Sequence, residues 1–249
     1  MLRVLATVLL LSTLDVAQEV TIAAAADLST ALPEIAAQYT KQSGVALKLS
    51  FGSSGNLTTQ IENGAPFDIF FSADEDYPKQ LIEKGFAEKD TLYRYAVGTL
   101  VLWAPNSIHL NPEALGIATL TATAVQKIAI ANPQHAPYGR AAEAAIRHFG
   151  IYQQIAPKLV LGENVSQAAQ FLQSGNAQAG LIPLSQALSP ALRGEGQYWI
   201  VPSNAYPTLN QAVVVLTRSK QKNAAGKFLA FLRTPEATSL LGRYGFTLP

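Results

Sequence analysis

The chain has 249 residues, 49% hydrophobic and 14% charged, with 18 basic side chains against 17 acidic ones. That length suits one large α/β unit or two lobes of about 100–120 residues, and so even a charge balance excludes a basic field for nucleic acid or anionic membranes. Cysteine is absent, which removes disulfides, thiolate nucleophiles, Cys-ligated zinc, iron–sulfur clusters and a lipidated-cysteine anchor.

Arg3 precedes eight residues, 4–11, that are apolar except for Thr7, and Ala17 follows. A positive start, a short apolar run and a small residue read as a secretory signal over residues 1–17, although Asp15 stands where a small residue is preferred. The plainer alternative is a buried first strand or helix. So short a run cannot remain in a bilayer as an anchor. On the signal reading the remainder is an exported soluble protein.

Residues 20–25 form an apolar run suited to a buried strand. Ser29 then precedes a helix with Leu32, Ile35, Ala36 and Tyr39 on one face and Gly44 as its stop. Residues 45–51 alternate like a strand, Gly52-Ser53-Ser54-Gly55 turns into a helix carrying Leu57 and Ile61, and Gly64-Ala65-Pro66 ends it. Residues 68–72 predict a short strand and 77–84 a helix closed by Gly85. Alternating strands and helices with short connections indicate an α/β fold built on a mostly parallel sheet with helices on both faces.

The β-rich run 95–103 is too long for one compact strand of about 5–6 residues, and 211–217 is similar. Between them lies a second α/β set: strand 128–130, helix 140–149, helix 166–174 and strand 180–183. Helices around 224–232 and 235–244 finish the chain. Two crossing strands without a flexible linker predict a discontinuous lobe 1 (18–97 plus 212–249) and an inserted lobe 2 (98–211), hinged at the crossings.

Enzyme motifs are missing. Gly52-Ser53-Ser54-Gly55-Asn56 resembles a nucleophile elbow but has Asn56 where the second glycine belongs. There is no G-x-G-x-x-G after the first strand and no P-loop lysine. Asp74, Glu75 and Asp76 read as a solvated helix start, and His135 as a surface or supporting residue rather than a metal ligand. What recurs is a strand-to-helix turn of small and hydroxyl residues: Ala24-Ala25-Ala26-Asp27-Leu28-Ser29, Gly52-Ser53-Ser54-Gly55, Pro137-Tyr138-Gly139 and Glu163-Asn164-Val165-Ser166. Helix starts expose unpaired N–H donors and a partial positive charge, so they bind anions without Lys or Arg. Ordinary capping explains any one of them; four, two from each lobe, point to a two-lobed binder of an anion or other small ligand.

At these residues the chain resembles the periplasmic molybdate-binding proteins of ABC transporters. The likeness runs from Val20-Thr21-Ile22 and Ala25-Ala26-Asp27-Leu28 through Phe51-Gly52-Ser53-Ser54-Gly55, Gly64-Ala65-Pro66-Phe67-Asp68 and Ser72-Ala73-Asp74. It continues in Asn132-Pro133, His135-Ala136-Pro137-Tyr138-Gly139 and Arg243-Tyr244-Gly245-Phe246. The resemblance implies an α/β, two-lobed type II periplasmic binding-protein fold with mixed sheets and helices on both faces, and no catalysis. It implies molybdate or tungstate held between the lobes by neutral hydrogen-bond donors, and delivery to a membrane permease by a periplasmic monomer. The anion is cargo and no cofactor is implied. The family's contact positions fall on Ala26, Asp27, Ser54, Tyr138 and Val165, all as donors to the oxyanion with no direct metal ligation.

Two departures stand out. Asp27 occupies a position where many members have Ser, and its carboxylate is expected to turn away and cap the helix while its N–H serves the anion. Some members carry a tyrosine ligand after the segment equivalent to Gly180-Leu181-Ile182, where this chain has Pro183; Tyr138 is expected to supply the phenol instead. The competing readings are a receptor for another tetrahedral oxyanion such as sulfate, a serine hydrolase using Ser54 with His135, and an adhesin or sensor subunit.

Overall fold

The computed structural model describes residues 19–249, so the expected leader lies outside the described residues. The first run of elements is β1 (Glu19–Ala25), α1 (Ala31–Ser43), β2 (Ala46–Gly52), α2 (Ser54–Glu62), β3 (Ile69–Ser72), α3 (Asp76–Glu83) and β4 (Tyr93–Gly98). The next run is β5 (Leu100–Pro105), α4 (Pro112–Leu115), β6 (Ile128–Ala131), α5 (Pro137–His148), α6 (Tyr152–Ile155), β7 (Leu159–Gly162), α7 (Val165–Gln173), β8 (Ala179–Pro183), α8 (Leu184–Ala187) and β9 (Gly196–Ile200). The chain closes with β10 (Leu209–Val215), α9 (Lys222–Phe231) and α10 (Pro235–Arg243).

Two five-stranded sheets result, ordered β2-β1-β3-β10-β4 and β7-β6-β8-β5-β9. In the first, β1 pairs in parallel with β2 and β3, while β10 runs antiparallel to β3 and β4. The second repeats the plan, with β6 parallel to β7 and β8, and β5 antiparallel to β8 and β9. Central parallel strands are covered on both faces and must be apolar throughout; β3, β6 and β8 are buried at every residue. In the first lobe α1 presents Leu32, Ile35, Ala36 and Tyr39 to the core and ends at Gly44 (φ 74°), the face and stop legible in its sequence. Tyr39 and Phe71 both pack against Phe228 of α9.

The mixed α/β expectation matches this architecture, with local differences. The run 95–103 is two strands in different sheets, β4 and β5, joined by Thr99 alone. β10 lies wholly in the first sheet, because Leu209 and Asn210 already pair with Gly98 and Val97. The return crossing therefore falls between β9 and β10, ahead of the expected boundary at 211/212. Helix α5 starts at Pro137, three residues before the expected position, since proline at the first helical position fixes φ and has no N–H to leave unpaired.

One irregularity shapes the site. Between β10 and β4 the register slips: Gln211 faces Ala96, Ala212 faces Arg94, and Tyr95 is left between them. Such bulges redirect side chains. Here the Tyr95 hydroxyl donates to Gln211 Oε1 at 2.6 Å inside the protein.

Candidate oxyanion-binding site

Parallel strands deliver their C-terminal ends to one edge of a sheet, and ligands of open α/β sheets bind there. Both sheets turn that edge toward a small shared pocket, lined by Ala25 at the end of β1, Gly52 at the end of β2 with Ser54 beyond it, Ala73 after β3 and Asn164 after β7. All five expected contact residues, Ala26, Asp27, Ser54, Tyr138 and Val165, line it too. They are 1–5% exposed. None of its lining residues is Lys, Arg or His.

Each expected position sits at a helix start whose N–H groups have no partner within the helix. Ser54 is the first residue of α2, Tyr138 the second of α5 and Val165 the first of α7. Caps satisfy the next donors in line: Ser53 Oγ accepts from the Asn56 N–H, and Asn164 Oδ1 accepts from the N–H groups of Ser166 and Gln167. The Ser54 hydroxyl accepts from the Ala73 N–H at 3.0 Å, which orients its own proton elsewhere. Ala26 and Asp27 lie in a single 3-10 turn, Ala26–Leu28.

Hydrogen bonds across the cleft hold the two lobes against each other. The Gly55 N–H donates to the His135 carbonyl at 2.9 Å, and His135 Nδ1 lies 2.9 Å from Ser53 Oγ. Gln186 Nε2 donates to the Ala26 carbonyl at 3.0 Å, and the Ser185 hydroxyl to the Asp27 carbonyl at 2.7 Å. Asn56 donates to Glu163 at 2.9 Å. Arg140 of α5 pairs with Asp74, so the expected solvated acidic cluster is in part a cross-lobe ion pair. Burial raises the Asp74 carboxyl, against the Tyr77 N–H and the Arg140 charge.

Two expectations about side chains are corrected. The Asp27 carboxylate caps no helix; it is 1% exposed and points at the bulge, where Oδ2 accepts from Gln211 Nε2. The Gln211 amide that holds it there is fixed opposite by Tyr95. Burial pushes the Asp27 carboxyl up to about 7, opposed by Gln211, the N–H groups of Asp27 and Leu28, and the Tyr138 hydroxyl. The Tyr138 phenol is likewise committed within the protein: it accepts from Gln211 Nε2 at 3.2 Å and hydrogen-bonds Asp27. What Tyr138 leaves unpaired is its backbone N–H. Burial and the neighbouring Asp27 raise both the Tyr95 and Tyr138 hydroxyls well above their ordinary value, so both stay neutral.

The hydrolase arrangement is not formed. His135 reaches Ser53, and Ser54 Oγ is bonded to a backbone amide. Gln211 escaped sequence reading because it sits in an ordinary strand, 184 residues from the aspartate it holds. Tyr138→Phe removes the hydroxyl that Gln211 and Asp27 share. It is expected to lower stability by about 1–3 kcal/mol, read as a fall in melting temperature.

The family model for bacterial extracellular solute-binding proteins matches residues 20–247. The molybdate-binding protein ModA of Rhodobacter capsulatus is 37% identical over 230 residues, covering 92% of this chain and 88% of that protein. Its counterpart from Azotobacter vinelandii is 36% identical over 232 residues, covering 93% and 91%. The solved structure of the Azotobacter vinelandii periplasmic molybdate-binding protein superposes with a TM-score of 0.86 at 34% identity, covering 92% of this chain and 99% of that one. With its paired mixed sheets and its pocket between them, this chain belongs to the bacterial extracellular solute-binding proteins and has their two-lobed periplasmic binding-protein fold.

Proposed function

We propose that the protein is the periplasmic receptor of an ABC transporter, taking up molybdate or tungstate between its lobes and delivering it to the permease as a monomer. The observation that carries the reading is a buried pocket lined by helix starts from both lobes and by no cationic side chain. The proposed donors are the N–H groups of Ala26, Asp27, Ser54, Tyr138 and Val165 with the Ser54 hydroxyl. They act on the oxyanion's oxygens and not on the metal. Hydrogen bonds to a charged partner contribute about 1.5–3 kcal/mol each, so six are enough for submicromolar capture after association costs. Neutral donors also leave no rigid ion pair to hold back release. The two relatives from Rhodobacter capsulatus and Azotobacter vinelandii, both molybdate-binding proteins, support the choice of ligand. The anion is cargo, and the reading needs no cofactor.

Thermal scans with molybdate, tungstate and sulfate test this. Ligand at a hundredfold excess over Kd stabilises the native state by about 2.7 kcal/mol, and for a chain of this size that raises the melting temperature by about 5–10 °C. Molybdate and tungstate are expected to give this shift and sulfate, which is smaller, much less. No shift with either large anion overturns the assignment. Ser54→Ala is expected to weaken molybdate binding by about 1–3 kcal/mol in calorimetry, the loss of one donor to a charged ligand; unchanged affinity would take Ser54 out of the contact set.

A further inference from the structure

Asp27 puts an acid in a pocket proposed to hold a doubly negative ligand. Its Oδ1 is buried and has no hydrogen-bond partner, while Oδ2 accepts from Gln211. The Gln211 orientation is set from behind: Tyr95 donates to Oε1, so the amide NH2 must face the acid. That leaves Oδ2 as the accepting, carbonyl-like oxygen and Oδ1 as the one free to carry a proton. A carboxylate can only accept, and so can every oxygen of a tetrahedral dianion; a carboxylic acid can donate.

We infer, resting on the oxyanion reading above, that Asp27 engages the ligand as an uncharged carboxylic acid, with the Oδ1 proton donated to a ligand oxygen. The balance is simple: carboxylate, solvent proton and dianion combine to a closed complex that holds all three, with no covalent bond formed or broken except O–H. When the acid is ionised beforehand, the proton is taken from water as the anion enters.

The surroundings favour the neutral form. The groups facing Asp27 are Gln211 from β10, Tyr95 from β4, Tyr138 from α5 with Tyr206 acting on it, and the backbone N–H groups of Asp27 and Leu28. No Lys, Arg or His among the described residues hydrogen-bonds or ion-pairs with it, and a buried acid without a cation keeps its proton. Its raised ionisation range, about 7 before any ligand arrives, is in line with this, and a dianion alongside can only raise it further. The other titratable groups bordering the cleft are His135, beside Ser53, Glu163, which accepts from Asn56, and the Asp74–Arg140 pair with Tyr77 beside it.

The test is titration calorimetry with sodium molybdate at pH 6 and pH 9, each in two buffers of different ionisation enthalpy. The proteins are the parent, Asp27→Asn and Asp27→Ala, with melting curves to establish folding. The parent is expected to take up close to one proton per anion at pH 9 and little at pH 6, and to lose affinity about tenfold per pH unit above 7. Asp27→Asn, whose amide is a permanent donor, is expected to bind equally at both pH values without proton uptake. Asp27→Ala is expected to bind at least about tenfold more weakly than Asp27→Asn at both.

The parent's buffer dependence is a measurement that needs no variant. Binding by the parent without proton uptake at pH 9 overturns the inference alone. So does a pH dependence that persists in Asp27→Asn, which then belongs to another group bordering the cleft, or an Asp27→Ala affinity equal to that of Asp27→Asn. No molybdate binding by the folded parent at either pH overturns the receptor reading and this one with it.

Discussion

Gly98→Ala is expected to be among the most damaging single-methyl additions in the protein. A Cβ there would fall 2.1 Å from Tyr138 Oη, 2.8 Å from Gln211 Nε2 and 2.9 Å from Tyr138 Cζ. Tyr138 is 2% exposed and Gln211 fully buried, so neither has open space to move into. Overpacking of this kind costs about 1–3 kcal/mol and sometimes more, and displacing Gln211 also strips Asp27 of its donor. A fall in melting temperature of about 6–12 °C is expected at the upper end of that cost, with molybdate affinity reduced at least about tenfold. Gly226→Ala is the control. It lies on an exposed stretch of α9 with nothing within 4 Å of the new carbon, and replacing a helical glycine stabilises by about 0.5–1 kcal/mol. Equal melting curves for Gly98→Ala and the parent would mean that Tyr138 and Gln211 are not packed as described.

Asp27→Asn should make the ligand-free protein more stable at alkaline pH and change it little in acid. The folded-state carboxyl titrates near 7, above its ordinary 3.8. Between those values the native protein keeps a proton that the unfolded chain has lost, so stability declines as pH rises through about 4 to 7 and stays low above it. A displacement of that size corresponds to about 4 kcal/mol. The neutral amide has no such penalty. Melting temperatures measured from pH 4 to pH 8 should therefore separate progressively, with the variant leading by about 8–16 °C more at pH 8 than at pH 4. Parallel curves would show that the carboxylate is comfortably ionised in the native state.

The elements that sequence alone places well are those whose pattern is set locally. The apolar face and Gly44 stop of α1, the buried run of β3 and the small-residue turns before α2 and α7 all depend on neighbours within one or two turns of chain. β9 was invisible by the same logic: it is an edge strand with one partner, largely exposed, and carries no alternation to read. The candidate site divides along this line. Ser54 and Val165 are first residues of helices, a local fact. The directions taken by the Asp27 carboxylate and the Tyr138 phenol depend on Gln211, which a register slip between two distant strands brings to them. Local capping preference suggested one orientation for Asp27, and a buried amide donor from across the sheet determined another.

The two connections between the lobes are unequal, and that asymmetry constrains how the protein could signal its state. One is a single residue, Thr99, pinned by the hydrogen bond from the Leu184 N–H to its carbonyl; the other is the stretch between β9 and β10. A joint one residue long has too few torsions to let rigid bodies slide, so any relative motion of the lobes would be close to pure rotation about a fixed pivot. Lobes moving in that way would each keep one outer surface, and only the angle between the two surfaces would carry information. A permease gripping both lobes at once would measure that angle directly, distinguishing a laden protein from an empty one without touching the cargo.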